Sequence, residues 1–337
     1  KKEMIKWSPP DQYVGGIEHA ILHLLYSRFF NRGLKKTKYV NFDEPFKGLF
    51  CQGMVCHKTF KGPKGWVEPR EVKYGGNKAF LKSNNQELAV GRSEKMSKSK
   101  KNIVDPMSII ELYGADTARL FMLSDSPPER DLDWSESGVD GCWKYLKKIW
   151  GHFHNYKFPE KNFTSLKDAK EDHNKIRREI HICIQNTTDS IETFRYNSAV
   201  ASIRKLSNLL LNINNKDQNI VLDQIILEGW QSYLIMLSPI TPHIAEELWE
   251  LVNPNSSILN QKWPTINKEL LKNQKIVMAV QINGKLKNTI EIDSKEITNK
   301  SLQENKALAL SNIKKAMLKN KPKKIIVIPG RVINIVL

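Results

Sequence analysis

The sequence has 337 residues, more than one hydrophobic core usually organises, and this length predicts two or three domains. Hydrophobic residues make up 40% and charged residues 26%, a balance that excludes a mainly disordered chain. Fifty-three Lys and Arg residues against 36 Asp and Glu give a net charge of +17. Such an excess favours nucleic acid as the partner, with a generally basic proteome as the alternative explanation.

The sequence has no features of a membrane protein or of a secreted protein. No apolar run approaches the roughly 20 residues that a spanning helix needs, and the charged start KKEMIKWSPP lacks the apolar centre of a secretory signal. The four cysteines have no CxxC pairing, which disfavours zinc ligation and predicts reduced, partly buried thiols. We therefore expect a cytoplasmic protein, with the mitochondrial matrix as the alternative. These cysteines are Cys51, Cys56, Cys142 and Cys183.

Residues 1–125 have the alternating pattern of an α/β segment. A Gly-Gly turn at 15–16 precedes a predicted helix from Ile17 to about Phe30, and Leu49–Val55 has the apolar run of a buried strand. Residues 58–87 are rich in Gly, Lys and Asn, as in an irregular insertion or a small hairpin. Spacing of three and four residues predicts that one wide face of the helix is buried. The residues on that face are Ile17, Ala20, Ile21, Leu24, Leu25 and Phe29.

Two short helices close this segment. Asp105 is a good N-cap and Pro106 suits the first helical position, so a helix is predicted to begin there and to stop at Tyr113-Gly114. Another is predicted from Asp116 to about Leu123.

Residues 126–252 form an all-α segment. Apolar residues recur there at three- and four-residue spacing, and the connections are short, which predicts an antiparallel helical bundle. Its tryptophans are expected to pack in the core rather than to stack on bases. They include Trp134, Trp143, Trp150 and Trp249.

Residues 253–274 read as a linker, and 275–337 as a small α+β module. Two alternating runs flank Asn283-Gly284, the strongest short hairpin signal. A helix at 301–318 and strands at 324–328 and 332–336 complete a predicted ββαββ order. Residues 271–337 contain 14 Lys and Arg against four Asp and Glu, so +10 of the net charge lies in this region.

The sharpest chemical signal is the run Lys95-Met96-Ser97-Lys98-Ser99. Two ammonium groups three residues apart, among small hydroxyl residues, suit a loop that closes over a triphosphate. Cations placed there stabilise the charge that develops on departing pyrophosphate. A solvated lysine-rich surface is the alternative reading of the composition alone.

A second signal lies at Tyr13–Ala20 with His23. The glycine pair lets backbone approach a ligand closely, and the following helix start favours polar groups. Glu18 and His19 in its first turn can hydrogen-bond a ribose or an amino group, and His19 and His23 share a helix face. One alternative is that these groups bind zinc, and the other is that the two histidines have only a structural role.

Together these segments resemble the bacterial type of leucyl-tRNA synthetase, a class I family in which KMSKS is a signature. The resemblance runs in order through the whole chain, and YVGGIEHAILHLLYSRF distinguishes the leucine enzyme from its valine, isoleucine, methionine and cysteine relatives. The matching strings are DQYVGGIEHAILHLLYSRF, GLFCQGMV, SEKMSKSKKNIVDP, YGADTARLFML, DLDWSESGV, SPITPHIAEELW and IPGRVINIVL.

The resemblance implies a role for each matched residue. Lys95 and Lys98 are expected to be catalytic contacts to the ATP phosphates, and Tyr13, His19 and His23 part of the leucine pocket. Backbone groups at 52–55 are expected to hold the adenine. The implied ATP-binding set is Gly15, Gly16, Glu18, Gln52, Gly53, Met54, Val55, Lys95, Met96, Ser97, Lys98 and Ser99.

The implied fold is the second half of a Rossmann-like catalytic domain, an anticodon-binding-type bundle and a basic carboxy-terminal domain. The implied activity is leucine–tRNA ligation, with tRNA(Leu), leucine and ATP with Mg²⁺ as partners, no protein-bound metal, and a monomer. The HIGH signature and the editing domain of the family are absent, so we expect a carboxy-terminal fragment that is inactive alone. A non-catalytic RNA-binding protein is the main alternative, and another class I synthetase is a third.

The basic module is the expected tRNA contact. Clustered cations bind a phosphate backbone by releasing its counterions, and the resemblance implies the outer corner of the tRNA as the target. A solubilising charged face is the alternative. The predicted contact residues are Lys314, Lys315, Lys319, Lys321, Lys323, Lys324 and Arg331.

Overall fold

A computed structural model describes most of the chain and divides it into two units. The first comprises residues 1–164 and 183–264, and the second 165–182 and 265–337. The four segment boundaries given above remain predictions. The described residues are 6–76, 78–158, 166, 169–215, 219–271, 275–293, 296–317 and 322–337.

The first unit begins with a parallel strand pair. Strand β1 (Tyr13–Gly16) lies beside β2 (Leu49–Gln52), with Gly16 opposite Gln52. A 3₁₀ turn at Ile17–Ala20 and helix α1 (Leu22–Lys36) form the crossover between them, as parallel pairing requires. A strand is thereby confirmed at residue 49, but it ends at Gln52 rather than Val55, and it is not buried as predicted, since Leu49 is 39% exposed.

The predicted buried face of the first helix is wrong in the part of the chain that the structure describes. Ile21 and Phe29 are 68% and 73% exposed, and Asn31 is the buried residue of α1. The helix also begins later and ends later than predicted. Burying such a face needs a second layer of structure, and a two-stranded sheet is too narrow to supply it.

Residues 58–87, predicted to be an irregular insertion or a small hairpin, contain antiparallel hairpins that belong to a larger sheet, so the second alternative is the one the structure supports. Positive φ at Gly65 (111°) and Gly76 (64°) allows tight turns between short strands, and Phe60 and Leu88 lie in its core. The strand order is β4-β3-β7-β6-β5, with β8 parallel to β3. The strands are β3 (Val55–Gly62), β4 (Gly65–Val67), β5 (Val72–Gly75), β6 (Lys78–Leu81), β7 (Glu87–Lys95) and β8 (Leu132–Asp133).

The two helices predicted after residues 95–99 are confirmed. The Asp105 carboxylate accepts from the Met107 N–H at the start of α2, and Gly114 ends that helix at a φ of 82°. The helices are α2 (Pro106–Tyr113), α3 (Ala115–Ser124), α4 (Glu136–Asn155), α5 (Glu171–Glu192), α6 (Tyr196–Leu211), α7 (Ile220–Leu237) and α8 (Pro242–Val252).

The bundle is built around α7. Helix α7 is the one described helix that is long and apolar enough to cross a membrane, judged by length and composition only. No apolar run of this length was expected from the sequence. Of the 18 residues of α7, 56% are buried inside the protein, and Trp230 and Tyr233 are fully enclosed. An apolar helix of this kind is what the centre of a bundle requires.

Polar groups also fix this core. The Tyr145 hydroxyl lies 2.9 Å from that of Tyr233 and 3.0 Å from Ser207 Oγ. Burial raises the pKa of both tyrosines, so their hydroxyls stay protonated as donors. Trp249 is buried as predicted, whereas Trp150 is 40% exposed and corrects that prediction. No disulfide joins the four cysteines, all of which lie in the described part.

Helix α3 holds the start of α8. Asp116 accepts from the Ile244 N–H at 2.7 Å, and its other oxygen lies 2.9 Å from His243 Nδ1. The Arg119 guanidinium donates to the Ile240 and Pro239 carbonyls, both at 2.8 Å. These contacts connect α3 to the bundle.

The second unit contains a four-stranded sheet of order β10-β9-β12-β11. Asn283 and Gly284 have φ of 47° and 80°, which confirms the predicted hairpin. The two last strands also lie where predicted. The elements are α9 (Lys268–Leu271), β9 (Lys275–Ile282), β10 (Lys285–Asp293), α10 (Lys300–Ala309), α11 (Ser311–Ala316), β11 (Lys324–Ile328) and β12 (Val332–Val336).

The single helix predicted at 301–318 is wrong, because the structure has two, α10 and α11. Leu310 between them is extended, with φ −62° and ψ 130°. The Asn312 side chain donates to the Lys287 carbonyl, and Ile313 is fully buried against the sheet. The break therefore allows the second helix to place its apolar residue in the core, and the order is ββααββ.

Candidate active site

One wall of the candidate site is the carboxyl end of the parallel pair, where ligands bind in open α/β sheets. Gly15 and Gly16 end β1 beside Gln52, which ends β2. A Cβ at residue 16 would lie 2.5 Å from Glu18 Oε2, so the Glu18 carboxylate can occupy this place only beside glycine. The predicted residues of the adenosine side, Gly15, Gly16, Glu18 and Gln52, thus lie at neighbouring strand ends.

The backbone that follows β2 is already hydrogen-bonded within the chain. Gly53 N–H donates to the Pro128 carbonyl at 2.9 Å, and Met54 N–H to Asp131 at 2.7 Å. A Cβ at Gly53 would lie 2.2 Å from the Arg130 carbonyl, so this close approach requires glycine. Adenine recognition by backbone groups at 52–55 stays a prediction, and these two N–H groups already have acceptors.

The KMSKS loop (residues 95–99) leaves the end of β7. Met96 N–H donates to the Val55 carbonyl at 3.1 Å, and Ser97 N–H to Asn102 Oδ1 at 2.9 Å. After the loop, Lys100 contacts Glu94 closely, and this hydrogen bond lowers the pKa of the Glu94 carboxyl. Both ends of the loop are therefore held by hydrogen bonds to neighbouring segments of the chain.

The two catalytic lysines of the prediction face different surroundings. Lys95 Nζ lies 3.8 Å from Glu18 Oε1, which brings the KMSKS loop to the strand ends. Lys98 lines a cleft of about 570 Å³ together with Arg70 and Lys101. Both ammonium groups belong to exposed residues, as contacts to a phosphate chain require.

The predicted leucine-pocket residues come together around an aromatic ring that the sequence analysis missed. Tyr13 stacks on Phe46 with ring centroids 4.4 Å apart, and His23 lies 5.2 Å from Tyr13. His19 packs edge-on against His23 at 6.4 Å. Phe46 follows Pro45 in a loop, where no periodicity signals it. Among the described residues, no cluster of three His, Cys, Asp or Glu could hold a metal ion.

Replacing His23 with Ala is expected to weaken leucine binding in the complete enzyme while ATP binding holds. The ring packs with Tyr13 and Phe46, and His23 belongs to the residues predicted to bind leucine rather than to those predicted to contact the phosphates. Binding of each substrate measured separately by calorimetry checks this. A collapse of ATP affinity with leucine affinity unchanged would show that the pocket assignment is wrong.

The predicted tRNA-binding residues lie at three places in the second unit. Lys314 and Lys315 are exposed on α11, and Lys323 and Lys324 at the start of β11. Arg331 lies in the turn after β11, about 14 Å along the strand from Lys324. The structure thus separates Arg331 from Lys323 and Lys324 at the other end of β11. Lys319 and Lys321 lie outside the described residues.

Two family models match parts of this chain, and its relatives match nearly all of it. The model of the anticodon-binding domain of tRNA ligase matches residues 173–302, and that of class I tRNA synthetases (I, L, M and V) matches residues 88–135. The leucine–tRNA ligase of Paramagnetospirillum magneticum is 43% identical over 332 residues, 98% of this chain and 38% of that protein. The Rickettsia felis leucine–tRNA ligase is 41% identical over 340 residues, 100% of this chain and 39% of that protein.

A solved structure gives the same relationship. The crystal structure of the Agrobacterium radiobacter K84 agnB2 LeuRS–tRNA–LeuAMS ternary complex matches 100% of this chain and 38% of its own, with 29% identity and a TM-score of 0.69. The chain spans less than two fifths of the length of these relatives. With a KMSKS loop beside the ends of a parallel strand pair and this likeness over its whole length, the chain belongs to the leucyl-tRNA synthetase family of class I aminoacyl-tRNA synthetases.

Proposed function

We propose that this chain supplies the KMSKS part of a leucine–tRNA ligase, which activates leucine with ATP and transfers it to tRNA(Leu). The observation that carries the proposal is the 3.8 Å approach of Lys95 to Glu18. That contact connects the cationic loop to the strand ends where class I relatives are expected to bind adenosine. The aromatic cluster around Tyr13 supports leucine as the amino acid.

In the proposed reaction the leucine carboxylate attacks the α-phosphorus of ATP. The bond to the β,γ unit breaks, leucyl-adenylate forms, and pyrophosphate leaves with added negative charge. Lys95 and Lys98 stabilise that charge more in the transition state than in the ground state, which raises the rate. Mg²⁺ bound with ATP would share the phosphate charge. A ribose hydroxyl of the tRNA end then attacks the leucyl carbonyl, and AMP leaves.

The exposed face of α1 supports the proposal that the working enzyme has more catalytic structure than this chain. Leu25 and Phe29 are 60% and 73% exposed on this face, and Ile21, directly before the helix, is 68% exposed. Contiguous apolar surface of this kind marks a place where another element packs, and a two-stranded sheet is marginal by itself. We propose that the remaining part of the ligase covers this face and supplies the second phosphate-binding signature.

The isolated chain is therefore expected not to form leucyl-adenylate. Leucine-dependent exchange of pyrophosphate into ATP measures this reaction directly, and the complete enzyme is the positive control. Exchange by the chain alone at a rate near that of the complete enzyme would contradict the proposal that a further part is needed.

A further inference from the structure

Asn102 is a fully buried polar residue just after the KMSKS loop. Its amide nitrogen lies 3.1 Å from the His57 carbonyl, 3.2 Å from that of Glu94 and 3.4 Å from that of Lys95. Its Oδ1 accepts from the Ser97 N–H at 2.9 Å. Two amide hydrogens serve three carbonyls, so at least one hydrogen is shared.

These partners bracket the loop. Glu94 and Lys95 end the strand that enters it, Ser97 lies within it, and His57 belongs to the neighbouring strand β3. Lys101, directly before Asn102, has a φ of 52°, a left-handed conformation that costs energy in a non-glycine residue. The contacts of Asn102 hold this turn closed, so one side chain fastens both ends of the loop to the sheet.

We infer that Asn102 is a positioning residue for leucine activation: its amide fixes the base from which Lys95 and Lys98 reach the ATP phosphates. This inference rests on the proposed function. The role requires donors and an acceptor on one short side chain. Aspartate has the same size but no N–H donors, and it places a carboxylate oxygen against three carbonyl oxygens. The hydrogen bonds that hold the two ends of the loop together should therefore break.

The chain offers a matched control in Gln303, in the second unit. It is also fully buried, and its amide donates to the Glu296 and Ile297 carbonyls at 3.1 and 2.6 Å. Asn102→Asp and Gln303→Glu therefore make the same chemical change at two buried amides. Only the first lies under the KMSKS loop.

The first test is limited digestion of the chain with trypsin, followed by mass spectrometry. Cleavage after Lys95 and Lys98 is expected to be about tenfold faster in Asn102→Asp, a change of about 1.4 kcal/mol in loop opening. Gln303→Glu should leave these two rates unchanged. Unchanged loop cleavage in Asn102→Asp overturns the inference. So does an equal rise at sites throughout the first unit, because that would indicate general unfolding.

The second test separates positioning from simple support. In the complete enzyme, Asn102→Asp should lower kcat for leucine-dependent pyrophosphate exchange about tenfold while the leucine KM stays unchanged. Faster loop cleavage with an unchanged kcat would overturn the positioning role. The digestion result holds whether or not the wild-type enzyme activates leucine, so failure of the proposed function and failure of this inference are distinguishable.

Discussion

Replacing Lys98 with Ala in the complete enzyme is expected to lower the rate of leucine activation about 100-fold or more. The ammonium group lies on an exposed loop residue and would meet a pyrophosphate group whose charge grows in the transition state. Loss of a contact that is made only in the transition state lowers kcat. Loss of a contact that is made equally in the ground state and the transition state raises KM and leaves kcat unchanged. The leucine KM should therefore move far less than kcat.

A suitable control is Lys64→Ala, which removes an exposed lysine from the turn between β3 and β4. Steady-state pyrophosphate exchange at varied leucine and ATP distinguishes the two variants. If Lys98→Ala raised KM strongly and left kcat unchanged, Lys98 would only bind substrate, and its catalytic assignment would be wrong.

Removing residues 271–337 is expected to weaken tRNA binding and aminoacylation strongly while leaving leucine activation nearly intact. Ten units of positive charge come from residues 271–337, and the predicted chemistry of adenylate formation lies in the first unit. Charge reversal at Lys323 and Lys324, together with Lys321 outside the described residues, should act the same way. Each lost phosphate contact should reduce the slope of log affinity against log salt by about 0.9.

Lys285 and Lys287 provide the control, because both are exposed on β10 of the same sheet and neither is in the predicted contact set. Their reversal to Glu changes the net charge without removing the proposed contacts. Filter binding of tRNA between low and physiological salt measures the slopes. An equal loss of slope in both variants, or full aminoacylation by the truncated enzyme, would identify the module as a solubilising face.

Local rules predicted the elements whose cause lies within a few residues. The cap at Asp105 with Pro106 predicted the start of α2, and the Asn283-Gly284 pair predicted a hairpin that needs positive φ at both positions. Strands 324–328 and 332–336 followed from alternation of period two, which a half-buried sheet imposes. The KMSKS string and the glycine pair before Glu18 were likewise readable from the chain.

What could not be predicted depends on distant partners. Whether the apolar face of α1 is buried depends on what packs against it, and helical spacing alone does not contain that information. Strands β3 and β6 pair with β7, while β4 and β5 pair with β3 and β6. The break at Leu310 likewise places Ile313 in the core of a sheet. Phe46 and Asn102 are found only when the fold brings them to Tyr13 and Glu94.

The most direct test of the account is pyrophosphate exchange by the complete enzyme with leucine, isoleucine, valine and methionine offered separately. We expect exchange that depends on leucine, with the other amino acids much weaker, and we expect Lys98→Ala to abolish most of it. Exchange driven by another amino acid, or no exchange with any of them, would contradict the assignment of this chain to a leucine-activating site.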